Sequence, residues 1–426
     1  MQPGTATNSL RNPFMDTNGD LLVLDTRVVA DSSMVDTIQK IEELGQERCN
    51  TFFQDRLVDC TTPLQDKITK ANLPLFGRHA HQEKSRGQKH LKAMKRDRTL
   101  FSTLYIVCQV RQISMVDFFS HENQPYPPSL SEYGSMRSGT KADLLVCLED
   151  LIPTHDTVNR QDVHMVILDG AANMNMIKPG KSDSFNDYIS TIMGYIRSQF
   201  SGDVVRVDMV FDIYRMDSLK AGTRQKRGKG TRRRVEVKNP VSGNWQEFLR
   251  VDDNKTELFY PISERVVHEN FPGLVIITRG EKVLSSTPCD LEGLMDCTHE
   301  EADTRMFVHA TGGVQHGLKK ILLRDFATDV EVISISLALN FCCQSLWLVF
   351  GAGNSFRFID ATTIAQSLGD DKCLALSSFH ALTGCDVTSL FAGKGKRTAW
   401  SVWNAFEDAT KMLRERWLKD HLEMRS

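Results

Sequence analysis

The sequence predicts an α/β fold: three layers with a mostly parallel central sheet, preceded by a mainly helical N-terminal region. Two observations predict it. Residues 35–150 show mostly helical patterns, whereas from about residue 160 short β-branched runs alternate with helical segments. Strands that alternate with helices are typical of a layered domain with a parallel sheet. The runs are VHMVIL at 163–168, DVVRVDMVF at 203–211, GLVIIT at 273–278, KKILL at 319–323 and SLWLVF at 345–350.

The flanking segments divide the chain into four predicted parts. Residues 1–30 are rich in Thr, Asn, Asp and Gly without periodicity, so we predict that they are poorly ordered. Residues 31–155 form the mainly helical region, whose role the sequence leaves open. Residues 160–400 form the α/β domain. The remaining residues, 401–426, have an amphipathic helical pattern with no later segment to pack on.

The bulk composition narrows the classes of protein. Hydrophobic residues make up 41% and charged residues 25% of the 426 positions, which is ordinary for a globular chain. No apolar run approaches about 18 residues, so no membrane span is expected. Ten cysteines without a CxxC spacing favour reduced thiols and an intracellular location. Because the net charge is −2, affinity for nucleic acid must come from local basic patches.

Acidic residues recur where the predicted strands end or where the following helices begin. The carboxyl ends of parallel strands share one edge of a sheet, so these side chains can converge there. A cluster of carboxylates needs cations, and hard oxygen ligands favour Mg²⁺ or Mn²⁺. For any one residue the alternative is a turn former, a helix cap or a first-turn acid, and only the repeated placement favours a site. The candidates are Asp169, Asp212, Glu301, Asp303, Asp329 and Asp386.

The order of these motifs resembles the flap-endonuclease (XPG-type) branch of the PIN-like nucleases. The segments are VILDG, VFDIYRMDSLKAGTRQKR, EEAD, ILLRDFATDVEVI and TGCDVTSLFAGKGKRTA, spread over about 160–400. The resemblance implies a PIN-like domain in which the six acids are catalytic and bind two Mg²⁺ or Mn²⁺ ions. It also implies hydrolysis of phosphodiester bonds in DNA or RNA. The motifs HEEADTR and TGCD…FAGKGK, and the leading segment 35–150, are similar to uncharacterised, transposon-associated animal PIN-like proteins.

The sequence departs from this family at several positions. Ala327 stands where an Asp-x-Asp pair would place its first carboxylate, and we expect Asp325, two residues earlier, to point elsewhere unless the loop is reshaped. The VFDG motif reads VFDI, and Val387 replaces a tyrosine. These changes leave open a second function, a catalytically impaired domain that binds nucleic acid or protein.

Two basic segments are candidates for contact with nucleic acid. In the turn at 393–397, Gly393 and Gly395 would let backbone N–H groups approach a phosphate, and Lys394, Lys396 and Arg397 add charge. Residues 220–234 contain eight lysines and arginines and no acid. The resemblance implies that this run is a basic arch over single strands, and the alternative is a solvated loop. In both cases we expect it to be exposed and poorly packed. As a possible localisation signal it favours the nucleus over the cytoplasm. Its candidate contacts are Lys226, Arg227, Arg232, Arg233 and Arg234.

Overall fold

The computed structural model describes most of the chain after residue 27. The described residues are 21–22, 28–68, 86–111, 114, 116, 120, 127–132, 135–152, 162–215, 218, 224, 230–295, 297, 299–325, 327–350 and 357–423. Most of the segment expected to be poorly ordered, 1–30, lies outside them. The chain divides into two compact units. The smaller comprises Met1–His81, Lys229–Glu236 and Ser242–Glu257, and the larger comprises Gln82–Gly228, Val237–Val241 and Leu258–Ser426.

The elements follow one another as helices first and then as alternating strands and helices. The strands are β1 (Ser131–Glu132), β2 (Ser135–Met136), β3 (Met165–Asp169), β4 (Arg206–Val210), β5 (Leu274–Arg279), β6 (Lys282–Ser285), β7 (Lys320–Arg324), β8 (Ser345–Phe350) and β9 (Arg357–Asp360). The α-helices are α1 (Ser32–Gln39), α2 (Ile41–Phe53), α3 (Arg86–Arg111), α4 (Ala142–Glu149), α5 (Gly170–Met176), α6 (Phe185–Gln199), α7 (Trp245–Leu249), α8 (Asp252–His268), α9 (Ala302–Gln315), α10 (Thr328–Ala338), α11 (Ala361–Leu368), α12 (Asp370–Leu382), α13 (Lys396–Ala405) and α14 (Asp408–Glu423). A π-helical turn, Gln54–Val58, continues α2.

The larger unit is built on a seven-stranded sheet in the order β6-β5-β4-β3-β7-β8-β9. Strands β5, β4, β3, β7 and β8 are parallel, and the two edge strands are antiparallel. The chain runs outward from β3 to β5 in one direction and from β7 to β8 in the other. The direction of winding therefore changes between β3 and β7. The predicted α/β class, with its mostly parallel sheet and helical N-terminal region, is confirmed.

One face of the sheet holds the largest apolar core. Alternate residues of β3 and β7 pack there against α9, α10 and α11, and the same core receives Leu144 and Leu148 of α4. Because side chains alternate between faces along a strand, Asp169 lies on the face of Ile167, and Asp325 continues the face of Leu323. The core residues of the two strands are Met165, Ile167, Ile321 and Leu323, all fully buried. The carboxylates of Asp169 and Asp325 therefore lie on the same face of the sheet, at the edge of its apolar core.

The C-terminal helices pack on the larger unit. Helix α14 lies against α12, and Leu413 contacts the core. Trp403 of α13 donates from Nε1 to Thr410 Oγ1 at 2.9 Å. The C-terminal helical segment, for which the sequence offered no packing partner, thus packs through Trp403 and Leu413 on residues that precede it. None of the helices in the described ranges combines the length and apolar character needed to cross a membrane.

In the smaller unit, residues 230–234 are half-buried, which contradicts the expectation that the whole basic run is exposed. Arg232 and Arg234 both contact Glu257 Oε1, and Val235 N–H donates to Glu257 Oε2 at 3.0 Å. Arg233 N–H donates to Asn254 Oδ1 at 2.9 Å. The reason is local charge: acids in the first two turns of α8 pair with Arg232 and Arg234, and Asn254 holds the backbone between them.

Candidate functional site

Three aspartates meet where the winding of the sheet reverses. Asp169 is the last residue of β3, Asp325 directly follows β7, and Asp303 lies in the first turn of α9. One carboxylate oxygen from each lies within 4.8 Å of those of the other two. Asp169 and Asp325 are buried, and Asp303 is half-buried. We call Asp169, Asp303 and Asp325 the acidic triad.

The register of the sheet explains why Asp169 and Asp325 are neighbours. Leu168 pairs with Arg324 across β3 and β7, so the next residue of each strand is an aspartate. Asp169 Oδ1 accepts a hydrogen bond from Ala172 N–H at 2.8 Å and caps α5. Asp325 Oδ1 accepts one from Ala327 N–H at 3.0 Å, which turns the chain into α10. Asp325 was expected to point elsewhere unless the loop is reshaped, and the loop has the shape that brings it to the triad, because its own carboxylate accepts from Ala327 N–H.

Asp212, which follows β4, positions the helix that carries Asp303. Its Oδ1 accepts from Ala302 N–H at 2.8 Å, at the first residue of α9, and its Oδ2 accepts from Tyr214 Oη at 3.1 Å. Glu301 immediately precedes α9 and is half-buried. Among the described residues the three-carboxylate group does not include Asp212 or Glu301. Asp212 therefore supports the triad through the start of α9.

Burial and like charge act together on Asp169. Burial raises the pKa of this carboxyl well above its usual value, and the neighbouring Asp325 and Asp212 raise it further. The hydrogen bond from Ala172 acts in the opposite direction, and Asp303 adds to the rise. Such a site favours the ionised form of Asp169 only when a positive charge is close. Three oxygen ligands at this spacing suit a hard divalent cation such as Mg²⁺ or Mn²⁺.

The other two predicted acids meet a lysine. Lys141 Nζ lies 2.7 Å from Asp329 Oδ2 and 2.8 Å from Asp386 Oδ1. His380 Nε2 lies 2.9 Å from Asp329 Oδ1. Burial acts to raise the pKa of Asp329, but the hydrogen bonds from His380 and Lys141 hold it well below its usual range. We call these four residues, Lys141, Asp329, His380 and Asp386, the lysine-bridged group.

In the glycine-lysine turn at 393–397, one lysine is exposed and the other is buried. Gly393 adopts φ +70°, a left-handed conformation that suits glycine, and Lys394 is exposed. Arg397 is also exposed and pairs with Asp143, with Nε 3.2 Å from Oδ1. Lys396, by contrast, is buried and donates to His380 O at 2.9 Å and to Thr383 Oγ1 at 2.8 Å. The expectation that Lys396 contacts phosphate is wrong: its ammonium instead satisfies groups at the C-terminus of α12.

One arginine of the run 220–234, Arg224, contacts an acid that lies just before α9. Arg224 NH1 is 3.3 Å from Glu300 Oε1, and its guanidinium lies over the ring of Tyr214, 5.4 Å from the centroid. Tyr214 in turn donates to Asp212. The predicted contacts Lys226 and Arg227 lie outside the described residues.

The sequence interpretation missed Asp325, Lys141, His380 and Arg224. Asp325 could have been found by aligning the ends of β3 and β7 as adjacent strands. Lys141 carried no local signal, because it is 188 residues from the aspartate that it contacts.

Comparison with known proteins gives a distant structural likeness. The chain matches no family model and no curated protein. Among solved structures it is similar to the flap endonuclease of bacteriophage T5 in a pseudo-enzyme–product complex with DNA and metal ions. That match has 13% identity and a TM-score of 0.34 and covers 57% of this chain and 75% of the other. A structure of the phage T5 protein crystallised with metal ions matches at 13% identity and a TM-score of 0.32, covering 60% and 85%. Both TM-scores are below 0.5, so the likeness carries no conclusion about the site.

Proposed function

We propose that this chain is a divalent-metal-dependent nuclease of the PIN-like, flap-endonuclease type. The observation that carries the proposal is the acidic triad. Its three carboxylates come from separate elements and lie together at the ends of the neighbouring strands β3 and β7, where the winding of the sheet reverses. The carboxyl ends of strands at such a reversal are where ligands bind in open α/β sheets. The order of the sequence motifs supplies the reaction class, hydrolysis of phosphodiester bonds in DNA or RNA.

The residues present fit a divalent ion of the Mg²⁺ or Mn²⁺ kind. Asp169, Asp303 and Asp325 would hold it. When bound, such an ion polarises a phosphoryl oxygen and lowers the pKa of a bound water. The chain's own contribution is to keep Asp169 and Asp325 buried and adjacent, and to fix Asp303 through the bond from Ala302 N–H to Asp212. This pre-organisation keeps the carboxylates in place before any substrate arrives.

Basic groups near the site would contact the phosphate backbone of the substrate. Lys394 and Arg397 are exposed on the turn at α13, whereas Arg224 is half-buried and lies beside Glu300. Backbone N–H groups at Gly393 and Gly395 would add neutral donors to the same strand. Lys226 and Arg227 stay in the proposal from sequence alone. So do a nuclear location and a relationship to transposon-associated PIN-like proteins.

One observation favours a second candidate, an impaired PIN-like domain that only binds nucleic acid or protein. The resemblance implied two ions held by six acids, Asp329 and Asp386 among them. Both aspartates are instead in contact with Lys141. The alanine at 327 counts less toward impairment, because Asp325 supplies a carboxylate from two residues earlier.

A cleavage assay on the full chain tests the proposal. Flap, bubble and single-stranded DNA and RNA would be incubated with Mg²⁺ or Mn²⁺, and EDTA would serve as the blank. We expect metal-dependent cleavage that Asp325→Asn reduces by more than about 100-fold, because the loss of even an outer-sphere partner of a metal typically costs about 10–100-fold. Asp203→Asn, in an exposed turn before β4, is the matched control and should cut normally.

The outcomes separate the two candidates. Metal-dependent cleavage that persists in Asp325→Asn would contradict the proposed site. Tight binding without cleavage in every variant would favour the binding module.

A further inference from the structure

The lysine-bridged group disagrees with the two-ion arrangement that the sequence motifs imply. Both oxygens of Asp329 have a partner, since Oδ2 contacts Lys141 and Oδ1 contacts His380. One oxygen of Asp386 contacts the same ammonium. A divalent ion between these aspartates would have to displace the lysine or sit beside its positive charge. The residues present therefore do not fit a second ion.

Lys141 is held in front of the two aspartates by its own helix. It immediately precedes α4, whose Leu144 and Leu148 are fully buried in the core of the larger unit. The Lys141 side chain is only 21% exposed. Its Nζ donates to Asp329 Oδ2 at 2.7 Å and lies 2.8 Å from Asp386 Oδ1, so one ammonium faces both carboxylates.

The loop that carries Asp386 is tied to the segment before Lys141. Arg137 N–H donates to Ser389 Oγ at 3.0 Å, Leu390 N–H donates to Arg137 O at 3.1 Å, and Ala392 N–H donates to Ser129 O at 2.7 Å. Gly139 fits against Leu390 so closely that a Cβ there would lie 2.7 Å from Leu390 Cδ2. These contacts fix the segment before Lys141 against the loop after Asp386, and so fix the distance between the two side chains.

We propose that the Lys141 ammonium is a built-in substitute for the second cation, so that the chain binds one divalent ion at the acidic triad and none at Asp329 and Asp386. This inference rests on the proposed function for the first ion. It makes Lys141 a positioning residue, because its positive charge offsets the repulsion between the Asp329 and Asp386 carboxylates when no metal is bound. The single charge of the ammonium then takes the place of the two charges of a second divalent ion.

The stoichiometry of Mn²⁺ binding tests the inference without any measurement of cleavage. Isothermal titration calorimetry of the full chain with MnCl₂ should give one ion per wild-type chain. Lys141→Met removes the charge at nearly constant shape, and we expect it to bind two ions. Adding Asp386→Asn to Lys141→Met should return the number to one. Lys178→Met, at an exposed position, is the control and should stay at one.

Each result has a separate meaning. Two ions in the wild type, or one ion in a folded Lys141→Met, would overturn the inference and leave the acidic triad standing. No ion in the wild type would overturn the proposed function itself. If Lys141→Met does not fold, Asp386→Asn in the otherwise natural chain decides. One ion, unchanged from the wild type, supports the inference, and a fall from one ion to none would place that ion at Asp386 and contradict it.

Discussion

The acidic triad and the lysine-bridged group are two collections of carboxylates in the same unit, and their electrostatics are opposite. At the triad, burial and neighbouring aspartates raise the pKa of Asp169. At the lysine-bridged group, hydrogen bonds from His380 and Lys141 lower the pKa of Asp329 despite burial. The difference is the presence of a cationic side chain. It teaches that an acidic residue at a strand end identifies a metal ligand only when no lysine or arginine from elsewhere in the fold compensates it.

Another buried carboxylate, Glu331 of α10, sharpens this comparison by showing what burial does where no described side chain donates a hydrogen bond to the group. It is 1% exposed, and neither of its oxygens has a hydrogen-bond partner in the described part of the structure. Burial, with a smaller effect from Glu149, raises its pKa from 4.5 to about 8. Below pH 4.5 it is neutral in both the folded and the unfolded state. As the pH rises from 4.5 to about 8 only the unfolded state ionises, so stability falls across this window.

We expect Glu331→Gln to remove this pH dependence. Above pH 8 the variant should be more stable than the wild type, by at most about 5 kcal/mol, since each pKa unit corresponds to about 1.4 kcal/mol. Urea unfolding at pH 5 and pH 9 measures the difference. Equal losses of stability in both proteins between the two pH values would show that Glu331 is already ionised in the folded state.

The two lysines of the turn at α13 allow a test with smaller expected effects. Lys396 is buried and paired within the protein, whereas Lys394 is exposed to solvent. Lys396→Met should lower the free energy of unfolding by about 1–3 kcal/mol, because two buried acceptors near the end of α12 lose their donor. It should leave the salt dependence of nucleic-acid binding unchanged. Lys394→Met should change stability by less than about 0.5 kcal/mol and reduce the salt slope by about 1.

Fluorescence anisotropy of labelled single-stranded DNA over a range of NaCl, paired with thermal unfolding, separates these effects. If Lys396→Met reduced the salt slope as much as Lys394→Met, the internal role of Lys396 would be refuted.

The sequence predicted the fold well, because β-branched runs and helical patterns are local signals. The strands and helices that they predict keep their type when the strands pair into the parallel sheet. Asp169 was predictable for the same reason, since it ends the first strand of the domain. The environments of Asp329 and Lys396 were not predictable. Each is set by residues distant in the chain, Lys141 for Asp329 and the end of α12 for Lys396.

The basic run shows the same limit. Eight positive charges without an acid predicted exposure, yet Arg232 and Arg234 pair with Glu257, more than twenty residues later. The motif around Asp325 does not reveal its position, because its acidic neighbour comes from another strand. The relevant neighbour is Asp169, which the pairing of β3 with β7 brings alongside.

The most direct test of the central claim is the sign of two stability changes measured at pH 7 in EDTA. Asp169→Asn should stabilise the protein, on the order of 1 kcal/mol, because an unfavourable buried charge is removed while Asn can still accept from Ala172 N–H. Asp329→Asn should destabilise it by about 3 kcal/mol, because Lys141 and His380 lose a charged partner. Added Mn²⁺ should raise the melting temperature of the wild type and not that of Asp169→Asn. Changes of the same sign for both substitutions in EDTA would contradict the account.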